Sequence, residues 1–362
     1  MSHLIGQVAG SNTSSIFLIF PFSSILIPRK NIENPITIKV VQYQTIRKPT
    51  QHILIALAMD ILTSLAPVII SQVTNYLKKK STSPAHELAI IAATGDVDAT
   101  EALLAKDHRL DRSQAIVAAA TEGRIGVLEV LLEPPPDKHA GHNHHHEPPK
   151  PPDLNAWVSN KTPLLAAVET GHKKTAVLLI KAGADPDLAP KNTGFAALHF
   201  AAKNGDLPMA EVLINHGAYV DPRDNEDNTP LLHAARWGHA NTMAFLLDSG
   251  ADIEARDNKG STALLLASRH DSVEGVELLL ERGANVKSRD VKGRNALHRV
   301  IAGVDFIEGV GPKKKEILVK MLLNSGADPK QRNKEGKTPA DMAGLLRGGG
   351  RVRKLLDAGT VQ

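Results

Sequence analysis

Apolar and polar positions alternate with a fixed period from about residue 154 to the C terminus. Each leucine-rich run is followed by a triplet that begins with Gly-Ala. The triplets are Gly183-Ala184-Asp185, Gly217-Ala218-Tyr219, Gly250-Ala251-Asp252, Gly283-Ala284-Asn285 and Gly326-Ala327-Asp328. Their spacings are 34, 33, 33 and 43 residues. A period near 33 is typical of stacked supersecondary units, because one such unit cannot bury its own apolar face.

A second marker keeps the same phase and predicts where the first helix of each unit begins. It is most complete at Thr229-Pro230-Leu231-Leu232, where Thr can cap a helix and Pro suits its first turn. Gly238 then ends the first helix, and Leu246-Leu247 lies on the buried face of a second helix. The polar residues 256–260 form a turn before the next unit. The pattern therefore predicts two helices and one projecting turn per unit.

These markers resemble those of the ankyrin repeat family: Thr-Pro-Leu-His-x-Ala-Ala, Gly-His, Leu-Leu-Leu and Gly-Ala-Asp. The resemblance holds phase over six units in residues 154–362, and two degenerate units precede them in residues 86–104 and 114–132. It implies an all-α ankyrin-repeat solenoid of about eight helix-turn-helix units with projecting turns, over residues 81–362. It also implies that His199 and His298 are structural, because they occupy the histidine position of the family pattern.

Two insertions interrupt the array. Residues 134–152 form a Pro- and His-rich loop, and its clustered histidines are His139, His142, His144, His145 and His146. Clustered imidazoles suit Zn²⁺, Ni²⁺ or Cu²⁺, but we prefer the alternative of a low-complexity linker that binds no metal. Residues 304–314 are glycine- and lysine-rich, yet no strand precedes them and their spacing fits no phosphate-loop motif. We expect a solvated surface loop there.

The N-terminal segment shows no repeat phase. We expect residues 1–58 to be irregular or disordered and residues 59–80 to form a partly amphipathic helix that packs against the end of the array. An apolar stretch at residues 53–70 reaches the lower limit of a membrane-spanning length, but Asp60 within it would be costly in lipid. A tether through residues 53–70, with membrane association of the protein, is therefore the alternative, and disorder is a third.

Composition and charge narrow the possible functions. The 362 residues carry a net charge of +4, of which residues 1–80 contribute +6 and the remaining residues −2. The basic excess thus belongs to the N-terminal segment, and the array has no basic stripe for nucleic acid. Cysteine is absent, which excludes disulfides, thiolate metal ligands and cysteine nucleophiles. No catalytic motif is present, so we expect no enzyme activity and no cofactor.

The resemblance implies a protein-protein interaction adaptor or scaffold, which we expect to be intracellular, cytoplasmic or nuclear, and monomeric. Its variable positions precede the glycine that ends each first helix, or lie at the turn tips. The candidate partner-binding residues are Lys203, Asn204, Arg236, Trp237, Arg269 and His270 on the helices, and Asn225, Asp227, Asp257 and Lys259 on the turns. Trp237 is our first choice, because Trp and Arg are favoured interface anchors. The alternative is that Trp237 packs half-buried against neighbouring first helices.

Overall fold

The structure is a computed structural model that describes residues 83–107, 109–133, 151–303, 311–344 and 350–359. Within these ranges it contains eight pairs of helices. In chain order they are α1 (Pro84–Thr94), α2 (Val97–Lys106), α3 (Ser113–Thr121), α4 (Ile125–Leu132), α5 (Pro163–Glu169), α6 (Lys173–Lys181), α7 (Ala197–Asn204), α8 (Leu207–Asn215), α9 (Pro230–Trp237), α10 (Ala240–Asp248), α11 (Ala263–Arg269), α12 (Val273–Glu281), α13 (Ala296–Ile301), α14 (Gly311–Asn324), α15 (Pro339–Ala343) and α16 (Gly350–Ala358). The predicted all-α stack of about eight helix-turn-helix units is confirmed.

The predicted start and stop signals act at the ends of the first helices. The Thr229 hydroxyl accepts a hydrogen bond from the backbone N–H of Leu232 at 3.4 Å, and Pro230 occupies the first turn of α9. This side chain satisfies one of the amide groups that have no partner within the helix. At the other end, Gly238 adopts a left-handed conformation with φ +75°, which a glycine tolerates without steric cost.

The units are held together through both their first and their second helices. Each odd-numbered helix packs against the next odd-numbered helix, and each even-numbered helix against the next even-numbered one. Pairs of buried alanines, such as Ala201-Ala202 in α7 and Ala234-Ala235 in α9, allow the first helices to approach closely. The buried side chains form one hydrophobic cluster that extends from Leu88 to Leu356. This continuous core is what stacking supplies and a single unit lacks.

The second insertion is shorter than predicted. Helix α14 begins at Gly311, so residues 311–314 are helical and the expectation of a solvated loop over 304–314 is wrong for that part. Lys315 is fully buried, and its Nζ donates to the carbonyl of Val300 at 2.9 Å and lies 3.4 Å from Asp271 Oδ2. The ammonium thereby satisfies a carbonyl at the end of α13 and draws the start of α14 onto the stack.

Several predictions fall on residues outside the described ranges. They concern residues 1–58 and 59–80, the apolar stretch 53–70, most of the Pro- and His-rich loop, and residues 304–310. The five clustered histidines are among them, so the metal alternative stays a prediction, as does the membrane tether. Among the helices of the described ranges, none is both long and apolar enough to cross a bilayer.

Candidate functional site

Six five-residue turns precede the first helices of the six regular units. They are residues 157–161, 191–195, 224–228, 257–261, 290–294 and 333–337. The fourth residue of every turn is left-handed, with φ between 61° and 75°: Asn160, Gly194, Asp227, Gly260, Gly293 and Gly336. In the last four turns an Asp or Asn begins the turn, and its side-chain oxygen accepts hydrogen bonds from two backbone N–H groups further along.

Asp257 shows what this arrangement does to a candidate binding residue. Its Oδ1 accepts from the backbone N–H groups of Lys259 at 3.0 Å and Ser261 at 2.7 Å. The residue is only 5% exposed, in contrast to the surface position expected for partner binding. A carboxylate that closes its own turn has the geometry of a structural group. Asp224 and Asp290 have the same role in their turns.

Consecutive turn tips are joined into a row by backbone hydrogen bonds. The N–H of Asn225 donates to Thr193 at 3.0 Å, that of Asn258 to Glu226 at 2.9 Å, and that of Val291 to Lys259 at 3.0 Å. Since each turn is fixed to the next, the side chains at the tips are presented in a regular series. Asn225, Asp227 and Lys259 are exposed in this series.

The polar side chains of the first helices have individual partners in or near these turns. His233 Nε2 is 2.9 Å from Asp224 Oδ2, and both side chains are buried. Lys203, one unit earlier, is exposed, and its Nζ lies 5.8 Å from the centroid of the Phe195 ring. This distance permits a cation–π interaction.

Arg236 occupies the position of Lys203 one repeat later. Its Nη2 donates to Asn228 Oδ1 at 3.0 Å and lies 3.6 Å from Asp257 Oδ2. Arg236 is therefore tied to the turn of its own unit and to the turn of the next one. These contacts of Arg236, a candidate binding residue, stabilise the array itself.

Arg299 and Arg269 form a contrasting pair. Arg299 is buried, and its Nη2 lies 3.0 Å from Asp290 Oδ2 and donates to Ser261 Oγ at 2.5 Å. Burial lowers the pKa of Arg299 to about 10, so it remains charged at neutral pH. Arg269 is partly exposed and has no ion-pair partner among the described residues, whereas the Nε of each of the two arginines is a buried donor without an acceptor there.

One large apolar residue, Trp237, is exposed at the end of a first helix. Trp237, the last residue of α9, is 56% exposed, so about half of its surface is accessible, and both the surface role and the half-buried packing alternative stay predictions. Asn204 and His270 occupy the equivalent positions of the neighbouring units and are also exposed. Partial burial lowers the pKa of His270, and the positive charges of the nearby arginines lower it further.

Sequence reasoning missed two partly buried aromatic residues, Phe195 and Phe200. Their ring centroids are 5.1 Å apart, and the Phe195 ring lies 4.7 Å from that of His233. Aromatic residues make up only 3% of the chain, so two phenylalanines this close in sequence are a local excess, and that excess was the available signal. The two rings form an apolar patch beside Lys203.

The histidines of the family pattern are structural, as expected. His199 is fully buried; its Nδ1 accepts from the backbone N–H of Ala196 at 3.1 Å, and its Nε2 donates to the carbonyl of Asn228 at 3.0 Å. The ring therefore links its own helix start to the next turn. Burial lowers the pKa of His199 to about 4, so the imidazole is neutral at physiological pH.

Two kinds of similarity to known proteins agree with this geometry. A family model described as ankyrin repeats in three copies matches residues 141–224, 164–257 and 198–290. A putative ankyrin repeat protein of fowlpox virus, FPV222, is 32% identical over 74 residues, which are 20% of this chain and 10% of that protein. Ankyrin repeat and SOCS box protein 6 of mouse is 32% identical over 144 residues, which are 40% of this chain and 29% of that protein.

A third relative, the putative palmitoyltransferase ZDHHC13 of Danio rerio, is 39% identical over 77 residues, which are 21% of this chain and 12% of that protein. The chain thus matches at most 29% of the length of any of these three relatives. The similarity is confined to a part of each relative, so it does not transfer the activity of the whole relative to this chain. Ankyrin repeats are generally protein-protein interaction modules. The repeat phase, the helical stack and these matches together show that the chain contains an array of ankyrin repeats.

Proposed function

We propose that the chain is a non-enzymatic adaptor or scaffold that binds partner proteins through the first-helix ends and turn tips of its repeats. We call this surface the binding face. It consists of Lys203, Asn204, Trp237, Arg269 and His270 with the exposed tip residues Asn225, Asp227 and Lys259. Arg236 borders the face, and most of its contacts are within the array.

The exposure of Trp237 is the observation that carries this proposal. All residues of α9 from Pro230 to Ala235 are buried, yet the helix ends on a tryptophan that is 56% exposed. An exposed indole gives up the stabilisation that burial would provide, and Trp is enriched among the residues that dominate interfaces. Its position between Asn204 and His270 places it in the middle of the row of first-helix ends.

The titratable groups near the binding face favour binding over catalysis. His199 and His233 are buried and hydrogen-bonded, and the carboxylates of Asp224 and Asp290 close turns. A general base must reach a substrate proton, and these side chains are instead enclosed by the stack. The binding role therefore rests on the exposed groups alone.

Site-specific photo-crosslinking in the full-length protein tests the proposal. A benzoylphenylalanine replaces Asn204 on the binding face, and a second variant carries it at Lys181, which is exposed at the end of second helix α6. We expect a discrete partner adduct from position 204 and none from position 181. Equal yields from both positions would refute the assignment of the face.

The variant Trp237→Ala tests the proposal quantitatively. We expect it to weaken binding of the captured partner about tenfold or more, while the helix content measured by circular dichroism is unchanged. Ile317→Ala is the control, because Ile317 is 48% exposed on second helix α14, away from the first-helix ends. A partner that binds the Trp237→Ala variant as tightly as the parent protein would exclude Trp237 as the anchor.

A further inference from the structure

We propose that the Arg269 guanidinium binds a carboxylate side chain in an acidic segment of the partner protein. This inference rests on the proposed protein-binding function and names the chemistry of the segment that the binding face recognises. It follows from comparing residues at equivalent positions of three successive units. Within those units, the residue type at one repeat position, leucine at 266 and arginine at 299, decides which arginine is held by the array.

Arg236 and Arg269 are separated by one repeat and end equivalent first helices. Arg236 bonds to Asn228 in its own turn and lies 3.6 Å from Asp257 in the next turn. The residues equivalent to these partners, for Arg269, are Ser261 and Asp290. If the repeat were uniform, Arg269 would lie against those two groups.

Arg299 occupies both of them. Its Nη2 donates to Ser261 Oγ at 2.5 Å and lies 3.0 Å from Asp290 Oδ2. The residue equivalent to Arg299 in the preceding unit is Leu266, which cannot compete for Asp257, and Arg236 keeps its partners there. The presence of an arginine at 299 and a leucine at 266 thus explains why the two guanidinium groups differ.

Arg269 is left with unsatisfied hydrogen-bonding capacity beside the exposed residues of the binding face. Its Nε is buried without an acceptor among the described residues, and no ion pair there includes it. A guanidinium presents a planar fork of donors that matches a carboxylate, and a charged hydrogen bond is stronger than a neutral one. Its nearest equivalent carboxylate, Asp290, is already paired with Arg299 at 3.0 Å. A negative group is therefore the complementary ligand.

The composition of the face favours an acidic protein segment over nucleic acid. Exposed acidic residues such as Glu226 and Asp227 lie on the turn tips, where a continuous phosphate backbone would be repelled, whereas a single carboxylate can bind Arg269 without running along the tips. The exposed Trp237 on adjacent helix α9 offers apolar contact that a segment combining acidic and apolar side chains can use. One carboxylate with a neighbouring apolar residue satisfies both features.

Selection from a phage-displayed library of random dodecapeptides tests the inference with the full-length protein as bait. We expect the parent protein to enrich peptides that carry Asp or Glu beside an apolar residue. Arg269→Gln should lose that enrichment. Arg351→Gln is the matched control, because Arg351 is exposed on α16 and the substitution removes the same charge. For a synthetic copy of the selected peptide, we expect Arg269→Gln to raise the Kd about tenfold and Arg351→Gln to leave it unchanged.

A further variant separates charge from geometry. Arg299→Leu copies the residue found at 266, so Arg269 should bond to Ser261 and Asp290 as Arg236 does to its partners. We expect this variant to bind the acidic peptide about as weakly as Arg269→Gln, although Arg269 is intact. Undiminished binding by Arg299→Leu would overturn the explanation.

Other outcomes also decide the matter. Selection of basic or purely apolar peptides, or of none, overturns the acidic-segment inference, while the crosslinking experiment still decides the proposed function. Tighter, Arg269-dependent binding of a single-stranded oligonucleotide than of the acidic peptide would identify nucleic acid as the ligand and likewise overturn it. A Glu→Gln copy of the peptide that binds as well as the original would show that the carboxylate is not recognised.

Discussion

Arg299 and Asp290 form an ion pair in which Nη2 lies 3.0 Å from Oδ2, while the two side chains are 2% and 1% exposed. The pair fastens helix α13 to the turn that precedes it. Asp290 also accepts from Arg294 Nε at 2.8 Å and closes its own turn. One carboxylate therefore organises the turn, the helix and, through exclusion of Arg269, part of the proposed binding face.

Replacing Arg299 should reveal this competition in the stability of the array. Breaking a buried ion pair by removing one partner typically costs about 3–5 kcal/mol, and we expect Arg299→Ala to lower the free energy of unfolding by about 3 kcal/mol. Arg299→Leu should lower it by only about 1–2 kcal/mol, because leucine refills the volume that alanine leaves empty, while Arg269 can take over Asp290. Urea unfolding monitored by circular dichroism measures both, and a loss of about 3 kcal/mol or more in Arg299→Leu would contradict the takeover.

The left-handed position of the turns predicts a stabilising substitution. Asp227 has φ +61°, whereas the equivalent residues of the next three turns are glycines. A side chain costs about 1 kcal/mol in this conformation, so Asp227→Gly should raise the free energy of unfolding by about 0.5 kcal/mol after the entropy of glycine is included. Thermal unfolding checks this.

The reverse change at Gly260, the equivalent residue of the next turn, is the control. An added Cβ there would lie 3.2 Å from the backbone N of Val291 at φ +70°. We expect Gly260→Ala to lower the free energy of unfolding by about 1–2 kcal/mol, from backbone strain together with this close approach. Opposite signs for the two substitutions are required; a loss of stability in Asp227→Gly would contradict the account.

Two helix-ending glycines separate backbone strain from crowding. Gly217, at φ +92°, has no atom within 4 Å of an added Cβ, so Gly217→Ala should cost about 1 kcal/mol of unfolding free energy from the conformation alone. At Gly205, φ +68°, the same Cβ would lie 2.5 Å from His239 Nδ1, whose ring also bonds to the Lys203 carbonyl at 3.0 Å. We expect Gly205→Ala to cost about twice as much.

The double variant Gly205→Ala with His239→Ala identifies the source of the extra cost. Removing the imidazole removes the clash, so the two losses should not add. Denaturant titration of the single and double variants measures the coupling. Simple additivity would show that His239 is not the group that is displaced.

The buried histidine His199 predicts a pH dependence of stability. Its pKa of about 4 in the folded chain is below the usual value near 6.5, so the unfolded chain binds more protons between these values. The stabilisation is present above pH 6.5 and is lost progressively as the pH falls toward 4. We expect the free energy of unfolding to decrease over that interval by up to about 3 kcal/mol from this group.

His199→Gln removes this titration while retaining a group that can accept and donate hydrogen bonds. Between pH 6.5 and 5, unfolding of the variant should vary less with pH than that of the parent protein. His216→Gln, at the exposed residue that follows α8, is the control for the substitution itself. An equal slope in the His199→Gln variant would exclude His199 as the cause.

Local signals in the sequence predicted the repeat because they act within a few residues. The Thr229 cap, Gly238 at the helix end and the buried alanine pairs are readable from spacing, as is the structural role of His199. For Trp237 the sequence left a surface anchor and half-buried packing both open, and the 56% exposure comes from the structure. The first insertion and the N-terminal segment lie outside the repeat phase, and their sequence predictions stay untested.

Contacts across units were not readable in this way. The burial of Asp257 and Lys315 depends on turns and helix ends that fold against them, and the start of α14 depends on the carbonyl that Lys315 satisfies. The periodic pattern of the sequence by itself determined the stack, because helix caps and apolar spacing are local. Only the tertiary structure decided that Arg299 and not Arg269 holds Asp290, because two guanidinium groups from different units compete for one buried carboxylate.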